Sequence, residues 1–422
     1  MKNVLILGGG GREHAIAEKL RKSDKVGKIF CLPGNAGISE IAECKDISPM
    51  DFDAVYDFIE GCDFKATPVD MVVVASDDPL AKGMVDFLTE KGIRAFGPTK
   101  KAAELEWSKS YAKDFMYRHG IPTAKSASFD TYKEALAYVE RQEYPCVIKA
   151  DGLALGKGVI ICNDFDEAKK ALSDIMLDKY FGESGSRVVV EEFMKGKEVS
   201  VLAFTDGKTI VPMVSAQDHK KIYDGDEGPN TGGMGAFSPS AAYTDEVRAD
   251  FEKNVMYPTL RGLIEDGIEY KGVIYFGLMI TDSGVKVVEY NSRFGDPETQ
   301  VVLPRLDGDL YEIFDAVIDG RLADVPVKWY DNCAVCVIMA SEGYPYAYEK
   351  GFDITIDNPK NVTLYHAGTR YFGDRLVTNG GRVIGVTATA DTIEEARRIA
   401  YVGVARVHFK GEYFRTDIGL NL

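Results

Sequence analysis

Apolar residues fall along this chain in short runs, separated by glycine-rich loops and by stretches with helical spacing. Residues 4–7, "VLIL", are closed by four glycines. The segment that follows, "REHAIAEKLRKS", repeats its apolar positions at helical intervals. Further apolar runs stand at 28–32, 71–75 and 93–96, the last two separated by "SDDPL" and a helical stretch reaching about Lys91. Strands alternating with helices predict a doubly wound parallel sheet over residues 1–100. Ligands bind such sheets at the carboxyl ends of the strands, here the loops 8–11, 33–37 and 76–80.

From residue 101 the pattern changes. Two helical stretches lead to "HGIPTA". A strand-rich segment over about 125–195 then centres on "YPCVIKADGLALGKGVIICND", two apolar strands around a glycine-rich loop. Residues 187–193 read as a strand bridging into the next unit. In "YFGLMITDSGVKVVEYNSRFGDPETQ" a hairpin turn at 282–284 joins two strands. On the second of these, Glu289, Asn291 and Arg293 are spaced by two and share a face, with Val288 and Tyr290 on the other. Beyond about 325, strands at 333–340, 362–367 and 382–388 and a helix at 391–404 predict a further α+β unit. The expected division is 1–100, 101–325 and 326–422, with a small unit inside the second at about 125–195.

A chain of 422 residues exceeds what one core supports, and 45% hydrophobic with 27% charged residues is ordinary globular composition. The net charge of −16 argues against unspecific nucleic-acid binding and against an anionic membrane surface. No apolar run approaches the roughly 18 residues of a membrane span, and the N-terminus enters a strand at once, so a cytoplasmic address is expected. Seven scattered cysteines fit reduced thiols, and the C-x-x-C of Cys333 and Cys336 sits in an apolar strand, where core packing is expected.

Three motifs bear on chemistry. The first glycine run fails the dinucleotide fingerprint, because Glu13 or His14 occupies the third glycine position in either register. A helix N-terminus favouring an anion remains, beside the plainer reading of a tight turn. The loop from Gly152 lacks a residue and the Ser or Thr of a phosphate-binding P-loop. Flanked by Lys149 and Lys157, it suits a hairpin folded over a triphosphate. A plain surface hairpin is the alternative. On the Glu289 strand, a carboxylate and an amide oxygen suit Mg²⁺, which takes oxygen ligands and shares them with phosphates; a solvated sheet face is the competing reading. "QDHKKIYDGDEGPNTGGMGAFSP", residues 217–239, mixes charges, a histidine and five glycines, and reads as a functional loop or a linker.

The order of "PGNAG", "FGPT", "VIKADGLALGKGV", "EEF", "GPNTGGMGA", "RFGDPETQ", "HAGT" and "TNGGRV" resembles the phosphoribosylamine–glycine ligase family of the ATP-grasp superfamily, over essentially the whole chain. The resemblance implies an α/β and α+β multidomain protein: an N-terminal doubly wound parallel sheet, a central ATP-grasp domain with a small mobile lid carrying the hairpin, and a C-terminal α+β domain. It implies ATP-dependent joining of glycine to 5-phosphoribosylamine through a glycyl phosphate, a step of purine synthesis. Two alternatives stand beside it, another carboxylate–amine ligase of the superfamily and a non-catalytic nucleotide-binding protein.

Carried over by residue, Lys109, Lys149, Gly156, Lys157 and Gly158 are expected at the ATP phosphates, Glu191, Phe193 and Met194 at adenine, and Glu198 at the ribose. Glu289 and Asn291 would hold Mg²⁺ or Mn²⁺, and the preceding strand "YFGLMI" adds no acid. Arg293, Asp218 and Lys220 are expected at the reacting centre. Gly10, Gly11, Asn35, Ala36, Asn230, Thr231, Gly232, Gly233 and Asp296 are expected around the substrate. The partners expected are the small molecules ATP, glycine and 5-phosphoribosylamine, with no nucleic acid and no membrane, and the chain as a monomer or weak homodimer.

Overall fold

The structure is a computed structural model that describes residues 1–153, 158–180 and 182–420. Its first sheet is parallel, in the order β3-β2-β1-β4-β5, from β1 (Lys2–Gly8), β2 (Val26–Pro33), β3 (Glu43–Cys44), β4 (Met71–Val74) and β5 (Ala95–Phe96). The two-residue edge strand β3 carries no apolar run, so the pattern did not announce it. Helices α1 (Gly11–Leu20), α2 (Phe52–Phe64), α3 (Asp77–Lys82) and α4 (Met84–Glu90) accompany the strands.

Alternation along β1 sends Leu5 and Leu7 into one core with Val55, Leu80 and Leu88, and Val4 and Ile6 into another with Ile16, Leu20 and Phe314. Burying each such side chain stabilises the fold by about 2 kcal/mol relative to leaving it exposed. The strand order reverses between β1 and β4. The loops after these two strands therefore part and leave a crevice. Arg12 and Asp77 stand at its edges.

Helices α5 (Glu104–Trp107) and α6 (Lys109–Arg118) lead to an antiparallel sheet ordered β6-β9-β7-β8, from β6 (Ser126–Phe129), β7 (Cys146–Ala150), β8 (Val159–Cys162) and β9 (Val188–Glu192). Two helices, α7 (Tyr132–Val139) and α8 (Phe165–Leu172), close its core. Lys149 pairs with Val159 at the end of the β7–β8 hairpin, and the loop between them contains residues 154–157.

The central sheet is ordered β11-β10-β16-β17, from β10 (Lys197–Thr205), β11 (Ile210–Pro212), β16 (Gly272–Thr281) and β17 (Gly284–Asn291). Here a sequence expectation is corrected. Gly277 pairs with Glu289 but Leu278 with Val287, so Val288 is an extra residue in β17. This bulge breaks the two-residue alternation. Val287 and Tyr290 enter the core beside Phe276, whereas Val288 joins Glu289 and Asn291 on the cavity wall. The carbonyl of Val288 accepts a hydrogen bond from Lys149 Nζ at 3.1 Å.

Residues 217–239 are also more ordered than a loop. They contain β12 (Gln217–Asp218), β13 (Lys221–Tyr223), β14 (Glu227–Asn230) and β15 (Gly235–Ser238). Strands β13 and β14 pair with each other, while β12 and β15 enter the last sheet, ordered β12-β15-β18-β23-β20. Its other members are β18 (Cys333–Ser341), β20 (Thr363–His366), β23 (Arg382–Ala390) and, off this path and paired with β18, β25 (Glu412–Tyr413). Two side ribbons pair β19 (Ile354–Ile356) with β24 (Val407–Phe409), and β21 (Thr369–Phe372) with β22 (Arg375–Thr378). The outer strands of the glycine-rich segment are thus held by the C-terminal sheet. In β18, Cys336 is buried in the core beside Ile338, and both its thiol and that of Cys333 are free. No helix among the described residues is long and apolar enough to cross a membrane.

Candidate active site

A cavity of about 950 Å³ lies where these units meet, at the upper end of the usual size for a small-molecule site. Of the residues singled out in the sequence, it brings together Lys109, Lys149, Gly158, Glu191, Phe193, Met194, Glu198, Asp218, Lys220, Asn230, Thr231, Gly232, Glu289, Asn291, Arg293 and Asp296. Gly156 and Lys157 lie outside the described residues.

The end beneath the β7–β8 hairpin is built by two helical lysines and a strand carboxylate. Ser108 caps α6 by accepting a hydrogen bond from the Tyr111 backbone N–H, which fixes where the helix begins. Lys109 and Lys113, one turn apart, then share a face. Glu191, 3% exposed, sits between two ammonium groups, with Lys113 Nζ 3.2 Å from Oε1 and Lys149 Nζ 3.0 Å from Oε2. Burial lowers Lys113 to about 8, with Glu191 opposing and Lys149 adding to the fall. Lys109 is lowered by burial against the pull of Glu289, and its Nζ donates to the carbonyl of Gly152 at 2.8 Å. Phe193 stands exposed at the rim.

The middle of the cavity alternates charges. Lys220 Nζ lies 3.5 Å from Glu198 and 3.6 Å from Glu289. Burial works against this ammonium, yet Glu198, Asp218 and Glu289 hold its pKa well above the usual lysine value. Asp218 is pushed up to about 8, first by burial and then by the nearby carboxylates, against Lys220. Glu289 goes the other way. Burial would raise it, but Lys220, Lys149, Lys109 and Arg293 hold it ionised below the usual range.

Arg293 is fastened from behind. Its Nη2 lies 2.7 Å from Glu106 Oε1 and 3.8 Å from Asp77 Oδ2. Glu106 also accepts hydrogen bonds from the backbone N–H and hydroxyl of Ser292, at 2.8 and 2.9 Å. Glu298 accepts from the Tyr275 hydroxyl at 2.9 Å. Asp296 pairs with Arg382 at 3.1 Å and accepts from Gln300 at 2.7 Å.

Five expected substrate residues do not line the cavity. Gly10 donates its N–H to Glu13 at 2.6 Å, and a Cβ placed on it would lie 3.5 Å from Asp296 Oδ2, so it backs the wall. Gly11 packs against Gln300. The Asn35 side chain donates to the carbonyls of Gly9 and His366 at 2.9 and 2.7 Å, and the Ala36 N–H to that of Thr369. Asn35 and Ala36 thereby sew the first sheet to the last. Gly233 lies just behind Gly232, against Pro297 and Arg382.

The cavity also shows residues that sequence reasoning passed over: Arg12, Asp77, Glu106, Lys113, Glu298, Tyr344 and Arg382. Lys113 was findable as the i+4 partner of Lys109 on a helix. Arg382 lay inside the quoted "TNGGRV" but was given no role, and Tyr344 had no local signal, because only the packing of the last sheet brings them in.

The donor set fits a divalent cation bridging phosphates. An ionised carboxylate and an amide oxygen, Glu289 and Asn291, face the cavity from adjacent same-face positions. Among the described residues no cluster of three or more His, Cys, Asp or Glu could hold a metal unaided, so phosphate oxygens would complete the shell. Facing cations, a hairpin along one wall and paired carboxylates suit phosphoryl transfer from a nucleoside triphosphate, a reaction of positioning and charge neutralisation.

Known proteins give the same picture. The family models for the phosphoribosylglycinamide synthetase N domain, ATP-grasp (A) domain and C domain match residues 2–106, 107–299 and 334–421. A phosphoribosylamine–glycine ligase of Caldanaerobacter subterraneus is 47% identical over 416 residues, spanning 98% of this chain and 99% of that protein. The trifunctional purine biosynthetic protein adenosine-3 of Gallus gallus is 49% identical over 99% of this chain and 42% of its own length. The crystal structure of phosphoribosylamine–glycine ligase from Thermotoga maritima superposes with a TM-score of 0.86 at 36% identity, covering 99% of this chain and 100% of that one.

Proposed function

Because this chain belongs to the phosphoribosylglycinamide synthetase family and is an ATP-dependent ligase with an ATP-grasp domain, we propose that it joins glycine to 5-phosphoribosylamine in purine biosynthesis. The observation that carries this reading is the cavity itself. A lysine-walled end beneath a hairpin opens directly onto residues 230–232 of the glycine-rich segment and the Arg293–Asp296 turn.

Lys109, Lys149 and the hairpin ending at Gly158 bind the ATP phosphates, with Gly156 and Lys157 expected in the same loop. Glu191, Phe193 and Met194 face adenine, and Glu198 the ribose. Mg²⁺ or Mn²⁺, held by Glu289 and Asn291 with phosphate oxygens, would screen the negative charge of the triphosphate.

A glycine carboxylate oxygen attacks the γ-phosphorus, ADP leaves, and glycyl phosphate results. Arg293, held rigid by Glu106, offers its guanidinium to the charge on the phosphoryl group. The amine of phosphoribosylamine then attacks the glycyl carbonyl carbon, phosphate leaves, and the nitrogen gives up a proton. Asp218, pushed up to about 8, stands beside Lys220 where that proton is released, and takes it in its ionised form. Asn230, Thr231, Gly232 and Asp296 surround the ribosyl amine, with Gly233 behind Gly232 and with Gly10, Gly11, Asn35 and Ala36 supporting that wall from the first domain. Enclosure excludes water from the acyl phosphate.

Steady-state phosphate release tests the reading. Turnover must require ATP, a divalent cation, glycine and phosphoribosylamine together. Equal turnover with an unrelated amine, or binding of nucleotide with no ligation, overturns it.

A further inference from the structure

The segment 230–233 is held by the C-terminal unit through the side chains of Arg382 and Tyr344. Arg382 is the first residue of β23. Its Nη1 donates to the carbonyl oxygens of Gly232 at 2.6 Å and Asp296 at 2.8 Å, with Gly233 at 3.4 Å. Its Nη2 lies 3.1 Å from the Asp296 carboxylate. Tyr344, just beyond β18, takes the other side of the same peptide chain, its hydroxyl accepting the Gly232 N–H at 2.9 Å. Both polar groups of Gly232 are therefore committed to residues of the last unit.

The clamp leaves little slack. A Cβ on Gly232 would lie 3.1 Å from Arg382 Cζ and 3.2 Å from the Tyr344 hydroxyl. Gly233 has φ +113 and a would-be Cβ 2.4 Å from Pro297 Cδ, a conformation that side chains rarely adopt. Arg382, Tyr344, Gly232 and Asp296 all line the cavity. Asp296 in turn abuts Gly10 of the first domain. One guanidinium thus joins the glycine-rich segment, the turn after β17 and, through Asp296, the first glycine loop. A planar fork with several donors holds such a set of oxygens in fixed directions, which a single ammonium cannot.

We propose that Arg382, supported by Tyr344, is a positioning residue for the amine substrate: the C-terminal unit sets the affinity for phosphoribosylamine by fixing the backbone of residues 230–233. This rests on the reaction assigned above. The ATP end of the cavity has no share in the clamp, so nucleotide affinity is independent of it.

The experiment uses the full chain and measures phosphate release with Mg·ATP and glycine saturating and phosphoribosylamine varied, then with ATP varied. ADP binding by calorimetry runs in parallel. Arg382→Met raises KM for phosphoribosylamine about tenfold or more, whereas KM for ATP and the ADP affinity stay within about twofold. Arg382→Lys keeps the charge beside Asp296 but not the fork, and recovers part of that loss. Tyr344→Phe deletes one acceptor oxygen from a half-buried side chain and raises the amine KM about threefold.

An unchanged amine KM in both Arg382→Met and Tyr344→Phe overturns the proposal, as does a matching rise in the ATP constants. If Arg382→Met does not fold, Tyr344→Phe decides alone. Parent protein that turns over without phosphoribosylamine sinks the assigned reaction and this inference with it; parent protein that needs the amine isolates the clamp as the point at issue.

Discussion

Arg293 and Glu106 form an ion pair of 2.7 Å between Nη2 and Oε1, and Glu106 is buried. The pair joins the turn after β17 to α5, so the guanidinium facing the cavity is anchored on a different element from its own.

Removing one member of a buried pair leaves the other uncompensated, which costs about 3 kcal/mol or more. Glu106→Ala therefore lowers unfolding stability by about that amount in urea titration. Glu106→Gln keeps the shape and the Ser292 contacts and loses the charge. It lowers kcat about tenfold with little change in ATP affinity, because Arg293 gains freedom. Parental stability and parental turnover in both variants would mean that Arg293 is oriented by something else.

Glu289 is held ionised against burial by four cations. Glu289→Gln removes a charged oxygen ligand. Turnover falls on the order of 100-fold and half-saturation shifts to higher Mg²⁺. A Mg²⁺ titration of the rate reads both effects. An unshifted titration curve contradicts a ligand role.

Two of the three buried histidines, His14 and His366, meet at the seam between the first sheet and the last and contribute to the response to acid. His14 of α1 accepts the backbone N–H of His366 on its Nδ1 at 2.8 Å, a bond that only the unprotonated nitrogen can accept. Burial lowers His14 to about 3, with His366 adding to the fall, and His366 to about 4. An unfolded histidine titrates near 6.5. Below that value the unfolded chain binds protons that the native histidines refuse, so the stability these two histidines contribute is full above about 6.5 and declines as pH falls toward 4. His366 alone accounts for about 3 kcal/mol across that window. His14→Asn offers an amide oxygen to the same N–H without titrating. Melting between pH 7 and 4 then shows a slope shallower by about 1.4 kcal/mol per pH unit. An identical slope in parent and variant rejects this account.

Gly233→Val places a side chain where φ is +113 and where Pro297 already stands. The segment 230–233 shifts and phosphoribosylamine use weakens about tenfold or more, while ADP binding stays nearly intact. Equal loss of both in calorimetry and kinetics points to general misfolding.

Much of this protein follows from local sequence, for a local reason. Runs such as "VLIL" and "MVVV" are apolar at every position, so they fold as buried central strands, and "REHAIAEKL" has one apolar stripe and one way to pack as a helix. Glu289 and Asn291 could be paired on one face because a strand repeats every two residues. The same rule failed one residue earlier, at Val288. A bulge depends on the partner strand and on Lys149 reaching its carbonyl, neither of which is written in β17 itself.

The sequence alone determined four of the first sheet's five strands, the hairpin after Lys149 and the residue types of the cavity, because periodicity and backbone preference act within a few residues. Tertiary structure alone decided that residues 217–239 are pinned into the last sheet, that Asn35 serves a seam, and that Glu106, Tyr344 and Arg382 reach the cavity. Those outcomes are set by which distant surfaces meet, and the energies that choose among them come from burial and charge pairing across elements far apart in the chain.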